Sequence, residues 1–271
     1  MSNAYRGPQD LRVIMGEAGE RAAIEAFDAL WMKAEKWRAS EIEIPLTALR
    51  SKSTEGVAAI YGGVYHMTPD LWLPEHTALV ECKASLAGRR FYATKRQFEA
   101  YRWAQSYAVR PVERPAVYYA FAAFEHPAPE VGEPTAAIEE RLALKWLTIA
   151  SIEIVERWAM ECGEYGKDWK NKAGEVVYEN FYRLTVDRVK RATDKALEDS
   201  GSELEVGELN GAQVVFLRAP GEVRRFEGEL PSAPLGLFDA SRAEGTILSP
   251  LADFDVNTPE AEKDAWANLP F

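Results

Sequence analysis

The sequence predicts an α/β fold in which helices cover a sheet. Three segments carry this prediction: a helical pattern over residues 16–37, a second one over 94–107, and the apolar run 116–124. Two short apolar strands lie between the helical patterns. Apolar residues at helical spacing indicate helices, and a continuous apolar run of this length is typical of a strand buried on both faces. The order helix, strands, helix, strand therefore predicts a layered core.

The first helix is predicted over residues 16–37, after a lead-in of residues 1–15. Its apolar residues recur at helical spacing: Ala23, Phe27, Leu30 and Trp31. Residues 41–46 alternate between polar and apolar and predict a first strand. Residues 47–62 form a short segment interrupted by Gly and Ser, and we interpret this segment as a helix that borders the site described next.

The central feature is a predicted hairpin of residues 65–73 and 77–85. Its second strand contains an acid-x-Lys triplet, a pattern that recurs at residues 168–170 in a charged segment predicted as a loop. Only the first triplet lies in an apolar strand with a Pro-Asp pair upstream. An alternative interpretation is an edge hairpin whose acids face water and whose lysine protects the edge from aggregation.

Side-chain alternation along the predicted hairpin brings charged groups together. Glu81 and Lys83 share one face of their strand, while Cys82 points to the other. In an antiparallel pair, Asp70 comes to lie beside Glu81 on that face. Magnesium usually takes one or two carboxylates together with a substrate phosphate. The residues therefore predict a site for hydrolysis of a phosphodiester.

The two predicted helices carry further polar candidates. Glu17 and Glu20 fall near the start of the first helix, where acids also complement the positive end of the helix dipole. In the other interpretation, Glu20 reaches the carboxylate cluster. Gln97 and Tyr101 are four residues apart in the second helix and so share one face.

These elements, in order, resemble the motifs of PD-(D/E)XK nucleases: Gly16-x-x-x-Glu20, Pro69-Asp70, Glu81-x-Lys83 and Gln97-x-x-x-Tyr101. The last element is similar to the RecB-type exonuclease branch. The resemblance covers about residues 12–125 and implies a restriction-endonuclease-like core, with a mixed central sheet flanked by helices. The remainder of the chain then forms a C-terminal α+β extension.

The resemblance also implies roles for individual residues. Asp70 and Glu81 would ligate Mg²⁺ or Mn²⁺ with the backbone carbonyl of Cys82, and Glu20 would complete the acidic cluster. Lys83 would orient or activate the attacking water and offset charge at the phosphate. Gln97 and Tyr101 would contact DNA or brace the site. Some RecB-type nucleases carry a four-cysteine iron–sulfur cluster, but this chain has two cysteines, so we predict no cluster.

Basic residues after the hairpin are candidates for binding substrate phosphates: Arg89, Arg90, Lys95 and Arg96. They ease a tension with the formal net charge of −11, which argues against a generic nucleic-acid coat protein because such proteins need clustered Lys and Arg. The alternative is that these residues form ordinary solvated helix faces.

Composition is that of a soluble enzyme of 271 residues, 47% of them hydrophobic. No apolar run approaches the roughly 18–20 residues that a membrane helix needs, and the N-terminus has no signal-peptide pattern. Few cysteines favour a reducing cytosol, so we expect a cytoplasmic protein of a bacterial, archaeal or phage-infected cell. A Walker-type phosphate loop is missing from the sequence, which argues against an ATP-driven motor.

Three regions are predicted: a nuclease core over residues 1–125, an α+β region over 126–231 that packs on or completes the core, and an acidic, poorly ordered tail over 232–271. Within the second region we predict these elements: a helix over 136–146, a strand or helix over 147–158, a charged loop over 164–174, a strand over 176–186, a helix over 189–197 and a strand over 211–217.

The last three residues are Leu269, Pro270 and Phe271. They resemble the tips of bacterial single-stranded-DNA-binding proteins, which dock repair enzymes, although three residues also match by chance. This tip suggests a recombination or replication protein as a partner.

Two classes of function follow from the sequence. The first is a magnesium-dependent deoxyribonuclease, most simply an exonuclease in recombination, repair or phage DNA metabolism, with an endonuclease of the same chemistry as the variant. The second is a non-catalytic subunit that binds DNA ends. The sequence is compatible with a homo-oligomer and does not specify one.

Overall fold

The computed structural model describes residues 4–49, 60–61, 63–106, 108–109, 112–170, 176–198 and 203–218. The α-helices within these residues are α1 (Pro8–Ala29), α2 (Lys95–Ser106), α3 (Thr135–Glu140), α4 (Ile152–Cys162) and α5 (Val186–Glu198). The strands are β1 (Glu35–Lys36), β2 (Ile42–Pro45), β3 (Ile60–Tyr61), β4 (Val64–Met67), β5 (Leu71–Leu73), β6 (Ala78–Leu86), β7 (Ala108–Val109), β8 (Val112–Glu113), β9 (Ala116–Phe124), β10 (Leu144–Ser151), β11 (Glu164–Lys170), β12 (Val176–Tyr182), β13 (Glu203–Leu209) and β14 (Ala212–Arg218).

The predicted α/β class is confirmed, because helices flank a mixed sheet of seven strands. The strand order is β1-β5-β6-β9-β10-β14-β13. The pairs β6–β9 and β10–β14 are parallel, and the other neighbours are antiparallel. Strands from both halves of the chain therefore lie in one sheet.

Helices cover both faces of this sheet. On one face, α1 and α3 pack against the even-numbered side chains of β6, among them Val80 and Cys82. On the other face, α2, α4 and α5 pack against side chains such as Leu79 and Phe121. Strand β9 is buried along almost its whole length, which confirms the prediction for the apolar run 116–124. Residues on alternate positions of β6 therefore face different helices.

The first helix differs from the prediction of 16–37 at both ends. It begins at Pro8, where a proline at the first helical turn costs no hydrogen bond, and it ends at Ala29. The predicted lead-in thus belongs largely to the helix. Residues 35–36 form the short strand β1 at the edge of the central sheet.

The first predicted hairpin strand, 65–73, is divided between two sheets. Strand β4 pairs with β2 and β3 in a separate three-stranded sheet, whereas β5 pairs with β6. Strand β2 confirms the strand predicted at 41–46. Of the predicted helix at 47–62, residues Leu46–Ala48 form one 3₁₀ turn, β3 occupies Ile60–Tyr61, and residues 50–59 lie outside the description.

Two predictions for the second half of the chain are wrong. The helix predicted at 136–146 stops early as α3, because Leu144 already belongs to β10, which pairs with β9 and β14. The loop predicted at 164–174 instead contains β11, which forms a two-stranded hairpin with β12. Residues 147–158 contain both of the alternatives considered, the end of β10 and the start of α4.

The strand predicted at 176–186 is confirmed by β12 as far as Tyr182, whereas Val186 already begins α5. The helix predicted at 189–197 and the strand predicted at 211–217 are confirmed by α5 and β14. No helix in the described ranges is long and apolar enough to cross a membrane. The predicted tail, residues 232–271, lies outside the described residues, and so does its Leu269–Phe271 tip.

Candidate active site

The hairpin of β5 and β6 brings Asp70 next to Glu81. The register pairs Leu71 with Val80, and continuing it by one residue places Asp70 opposite Glu81. The backbone N–H of Cys82 donates a 2.6 Å hydrogen bond to Oδ2 of Asp70. This contact holds the Asp70 carboxylate against β6 immediately beyond the last paired residue of β5.

Glu81 and Lys83 lie on the face of β6 that is covered by α2. Both side chains are buried, with 2% of Glu81 and 9% of Lys83 exposed. Lys83 Nζ lies 2.5 Å from Oε1 of Glu81 and 3.1 Å from Oε1 of Gln97. The ammonium group is therefore held between a carboxylate and an amide oxygen that fix its direction.

Helix α2 contributes Gln97 and Tyr101 from one face, one helical turn apart. Its first turn is capped by Thr94, whose hydroxyl accepts a hydrogen bond from the N–H of Gln97 at 3.2 Å. The hydroxyl of Tyr101 donates a 2.6 Å hydrogen bond to Oε2 of Glu81. Both oxygens of Glu81 thus have partners, Lys83 on one side and Tyr101 on the other.

Glu20 approaches the same region from α1, on the opposite face of the sheet. Its side chain is buried, and Nζ of Lys36 lies 2.9 Å from its Oε2. Burial raises the pKa of Glu20, and the Lys36 ammonium opposes that increase. The preceding residue, Gly19, lets α1 come close to the sheet, since a Cβ there would lie 3.1 Å from Cβ of Ala84.

The carboxylates of the site lie close enough to one another to shift the pKa values of neighbouring groups. Burial raises the pKa of Asp70 well above its usual range, and the charges of Glu81 and Glu20 raise it further. Burial and the nearby charge of Glu81 likewise raise the pKa values of Tyr101 and Tyr119. A cation at this position would relieve the repulsion between the acids.

The donor atoms suit a hard cation. Asp70, Glu81 and Glu20 supply oxygen donors only, as Mg²⁺ prefers. The N–H and C=O of one strand residue point toward the same neighbouring strand, so the Cys82 carbonyl is directed to the side of Asp70. In the described ranges no group of three His, Cys, Asp or Glu side chains is arranged to hold a metal ion alone. A bound ion would therefore also need the backbone carbonyl, water or phosphate oxygens.

The predicted substrate-binding residues lie in different environments. Arg89 is half-buried and Arg90 is exposed, both directly after β6. Lys95 forms a 2.7 Å ion pair with Glu164. Arg96, by contrast, is 1% exposed and its guanidinium lies 3.0 Å from Glu179, so it faces the interior and not a surface open to DNA.

Sequence reasoning missed two residues of the site. Lys36 lies in β1, a two-residue strand inside what the apolar pattern predicted as helix, so its pairing with Glu20 left no signal. Tyr119 neighbours Glu81 in the parallel ladder of β6 and β9. It belongs to a uniformly apolar run, in which periodicity does not single out any position.

The second acid-x-Lys triplet stays apart from this arrangement. Asp168 is exposed on β11, a strand of the separate β11–β12 hairpin, opposite Tyr178. The two triplets thus have the same local sequence and different surroundings. Only the one in β6 lies in the central sheet.

Comparison with known proteins finds no match to this chain, whether among family models, curated protein sequences or solved structures.

Proposed function

We propose that this protein is a metal-dependent deoxyribonuclease with a restriction-endonuclease-like core and a C-terminal α+β extension. One observation carries the proposal: Asp70 and Glu81 meet at the end of the β5–β6 hairpin, and Lys83 contacts Glu81 at 2.5 Å. A purely structural domain gains nothing from burying two neighbouring carboxylates, because each pays a desolvation cost and they repel one another.

The topology around the site supports the same proposal. Strands β5 and β6 form an antiparallel pair, α2 follows, and the chain returns to a parallel position as β9. Helix α1 packs across β6 from the other face and brings Glu20 near Asp70. This is the succession of elements in which the sequence resembles PD-(D/E)XK nucleases.

Asp70, Glu81 and the Cys82 carbonyl would hold Mg²⁺ or Mn²⁺, with Glu20 at the border of the cluster. When bound there, the ion would supply Lewis-acid chemistry: a lower pKa for bound water and charge stabilisation at the scissile phosphate and the leaving alkoxide. The protein's own contribution is to fix the donors in place: Cys82 N–H orients Asp70, and Tyr101 orients Glu81.

Lys83 has the position of a group that acts on the attacking water or on the phosphate. Its ammonium carries the only positive charge in hydrogen-bond contact with Glu81 among the described residues, and it donates a second hydrogen bond to Gln97. A lysine ammonium can donate hydrogen bonds to developing negative charge on phosphate oxygens. Gln97 and Tyr101 then act by positioning Lys83 and Glu81.

The proposed substrate is DNA, and the proposed setting is recombination, repair or phage DNA metabolism in the cytoplasm. An exonuclease is the preferred form of the proposal, because the Gln97-x-x-x-Tyr101 element resembles the RecB-type branch. An endonuclease with the same chemistry would use the same residues.

Digestion of end-labelled linear DNA and closed circular DNA tests this proposal. Each substrate is incubated with Mg²⁺, Mn²⁺ or EDTA and with wild type, Lys83→Ala or Lys145→Ala. Lys145 is a matched control because it is a half-exposed lysine paired with Glu125 on the surface.

We expect metal-dependent loss of linear DNA with wild type and with Lys145→Ala, and none with Lys83→Ala. Cleavage of circles would identify an endonuclease. Digestion by Lys83→Ala at the wild-type rate, or an absence of digestion with either metal, would overturn the proposal.

A further inference from the structure

A patch of three aromatic rings flanked by two arginines lies beside the candidate active site. We define this arginine–aromatic patch by five residues: Arg12, Arg90, Tyr92, Tyr165 and Phe181. They come from α1, the segment 87–94, β11 and β12. Residues distant in sequence thus form one continuous surface.

Successive members of the patch are in contact. The Arg12 guanidinium lies 5.7 Å from the ring centroid of Tyr92, and that ring meets Phe181 edge-on at 6.2 Å. Phe181 stacks on Tyr165 at 5.4 Å with an angle of 22° between the rings. The Arg90 guanidinium lies 5.4 Å from the centroid of Tyr165. The order is therefore arginine, ring, ring, ring, arginine.

The residues of the patch differ in how much of each side chain is exposed to solvent. Phe181 is only 6% exposed and is the buried member of the patch, whereas Tyr92 is 47% exposed and Arg90 is exposed as well. Tyr92, left half in solvent beside the Arg12 guanidinium, offers an aromatic surface for stacking together with positive charge for phosphates. This local positive charge contrasts with the net charge of −11 for the whole chain.

The patch is joined to the candidate active site by the chain itself. Ser85 follows Lys83 on the same face of β6, and its hydroxyl donates a 2.9 Å hydrogen bond to the backbone carbonyl of Arg90. Tyr92 then precedes Gln97 by five residues. The segment 87–94 connects the strand that carries Lys83 to the helix that carries Gln97.

We propose that the arginine–aromatic patch binds an unpaired strand of nucleic acid. A base of this strand stacks on the half-exposed ring of Tyr92, and the phosphates contact Arg12 and Arg90. Base–aromatic stacking needs bases freed from a duplex, so the patch selects single strands over duplexes. The binding itself stands on the patch alone, whereas the further step, delivery of the strand to Lys83, rests on the proposed nuclease function.

Binding of a labelled oligothymidylate and of a blunt duplex of equal length tests the proposal. The measurement is made by fluorescence anisotropy in EDTA, which prevents metal-dependent cleavage, and at several salt concentrations. The variants are Tyr92→Ala, Tyr92→Phe, Tyr92→Leu and Arg90→Ala. The control is Arg141→Ala, a half-exposed arginine that pairs with Glu133 away from the patch.

We expect wild type to bind the single strand more tightly than the duplex. Tyr92→Ala and Tyr92→Leu should weaken single-strand binding by about 5- to 150-fold, the range for one lost base stack, while Tyr92→Phe retains it. Arg90→Ala should also reduce the salt dependence, the slope of log K against log salt, by about 0.7. Arg141→Ala should bind like wild type.

Wild-type binding by both Tyr92→Ala and Arg90→Ala, or a preference for the duplex, would overturn the proposal. Tyr92→Leu binding as well as Tyr92→Phe would overturn the stacking step. These results are independent of cleavage. A protein that cuts no DNA but binds single strands through Tyr92 would refute the nuclease and leave the patch standing.

Discussion

The hydroxyl of Tyr101 donates a 2.6 Å hydrogen bond to Oε2 of the buried Glu81. A second tyrosine, Tyr119, lies beside Glu81 in the ladder of β6 and β9, and its buried hydroxyl has no hydrogen-bond partner within the described part of the chain. The two tyrosines are almost completely buried, and this burial raises the pKa of each hydroxyl, with a further increase from the charge of Glu81. They differ in hydrogen bonding: within the described residues, the Tyr101 hydroxyl has a partner and the Tyr119 hydroxyl has none.

This difference predicts unequal effects of removing each hydroxyl. Tyr101→Phe should lower the free energy of unfolding by about 1.5–3 kcal/mol, because a buried carboxylate loses a donor. Tyr119→Phe should not lower it and should raise it if anything, because no hydrogen bond is lost and a buried hydroxyl without a partner is removed. Urea unfolding at neutral pH measures both. Equal losses would contradict the assignment of the hydrogen bond to Tyr101 alone.

Asp70→Asn should make the free energy of unfolding much less sensitive to Mg²⁺. In EDTA the variant should be at least as stable as wild type, because it removes one of three crowded acids while its amide oxygen can still accept from Cys82 N–H. Added Mg²⁺ should stabilise wild type by RT ln(1 + [Mg²⁺]/Kd), which is about 2.7 kcal/mol at a hundredfold excess over Kd. The variant should gain much less.

Thermal unfolding over a series of Mg²⁺ concentrations measures this difference. Asp168→Asn is the control, because Asp168 is the exposed acid of the second acid-x-Lys triplet. It should respond to Mg²⁺ as wild type does. The same response from Asp70→Asn would exclude Asp70 as a ligand.

The part of the site that follows from local sequence was predictable. The adjacency of Asp70 and Glu81 follows from strand alternation and a short connection, and the shared face of Gln97 and Tyr101 follows from helical spacing. Both depend on residues close together in the chain. The α/β class was predictable for the same reason, because the spacing of apolar residues within a long segment indicates whether that segment is a helix or a strand.

What depended on distant partners was not predictable. Leu144 begins a strand because it pairs with Phe124 of β9, and β14 joins the other side of that strand from Trp146 onward, although the preceding residues favour a helix. Strand β11 is charged because its hairpin is largely solvated, so it resembles a loop in composition. The residue in a left-handed conformation just after α1 is Trp31 and not a glycine, so the sequence contains no glycine signal for the end of this helix.

Gly19 should resist enlargement, because α1 lies close to the sheet at this residue. A Cβ would be 3.1 Å from Ala84 Cβ and 3.5 Å from Ala122 Cβ. For Gly19→Ala, the tight contact is offset by a gain in helix propensity of about 1 kcal/mol, so we expect little net change. Gly19→Val should destabilise by about 1–3 kcal/mol, because its methyl groups enter a packed interface.

Denaturant unfolding of the two Gly19 variants measures this graded effect. Gln9→Val, on an exposed position of the same helix, reports the cost of a β-branched residue without crowding and should stay below about 0.7 kcal/mol. If Gly19→Val proves as stable as Gly19→Ala, α1 does not pack against Ala84 and Ala122 as described.

The buried pair of Arg96 and Glu179 should make stability depend on pH. Burial raises the pKa of Glu179 from 4.5 to about 6, against the opposing effect of Arg96. Between these values the folded protein binds more protons at Glu179 than the unfolded chain does. Stability from this group therefore increases as the pH falls from above 6 toward 4.5, by about 2 kcal/mol in total.

Glu179→Gln isolates this contribution, because an amide does not titrate. The free energy of unfolding of wild type minus that of the variant should rise as the pH is lowered through 6, by the same amount of about 2 kcal/mol. Glu125→Gln, in the exposed pair with Lys145, is the control for the loss of a surface carboxylate. A wild-type advantage that falls with acidification would show that the Glu179 carboxylate is stabilised and not destabilised by its burial beside Arg96.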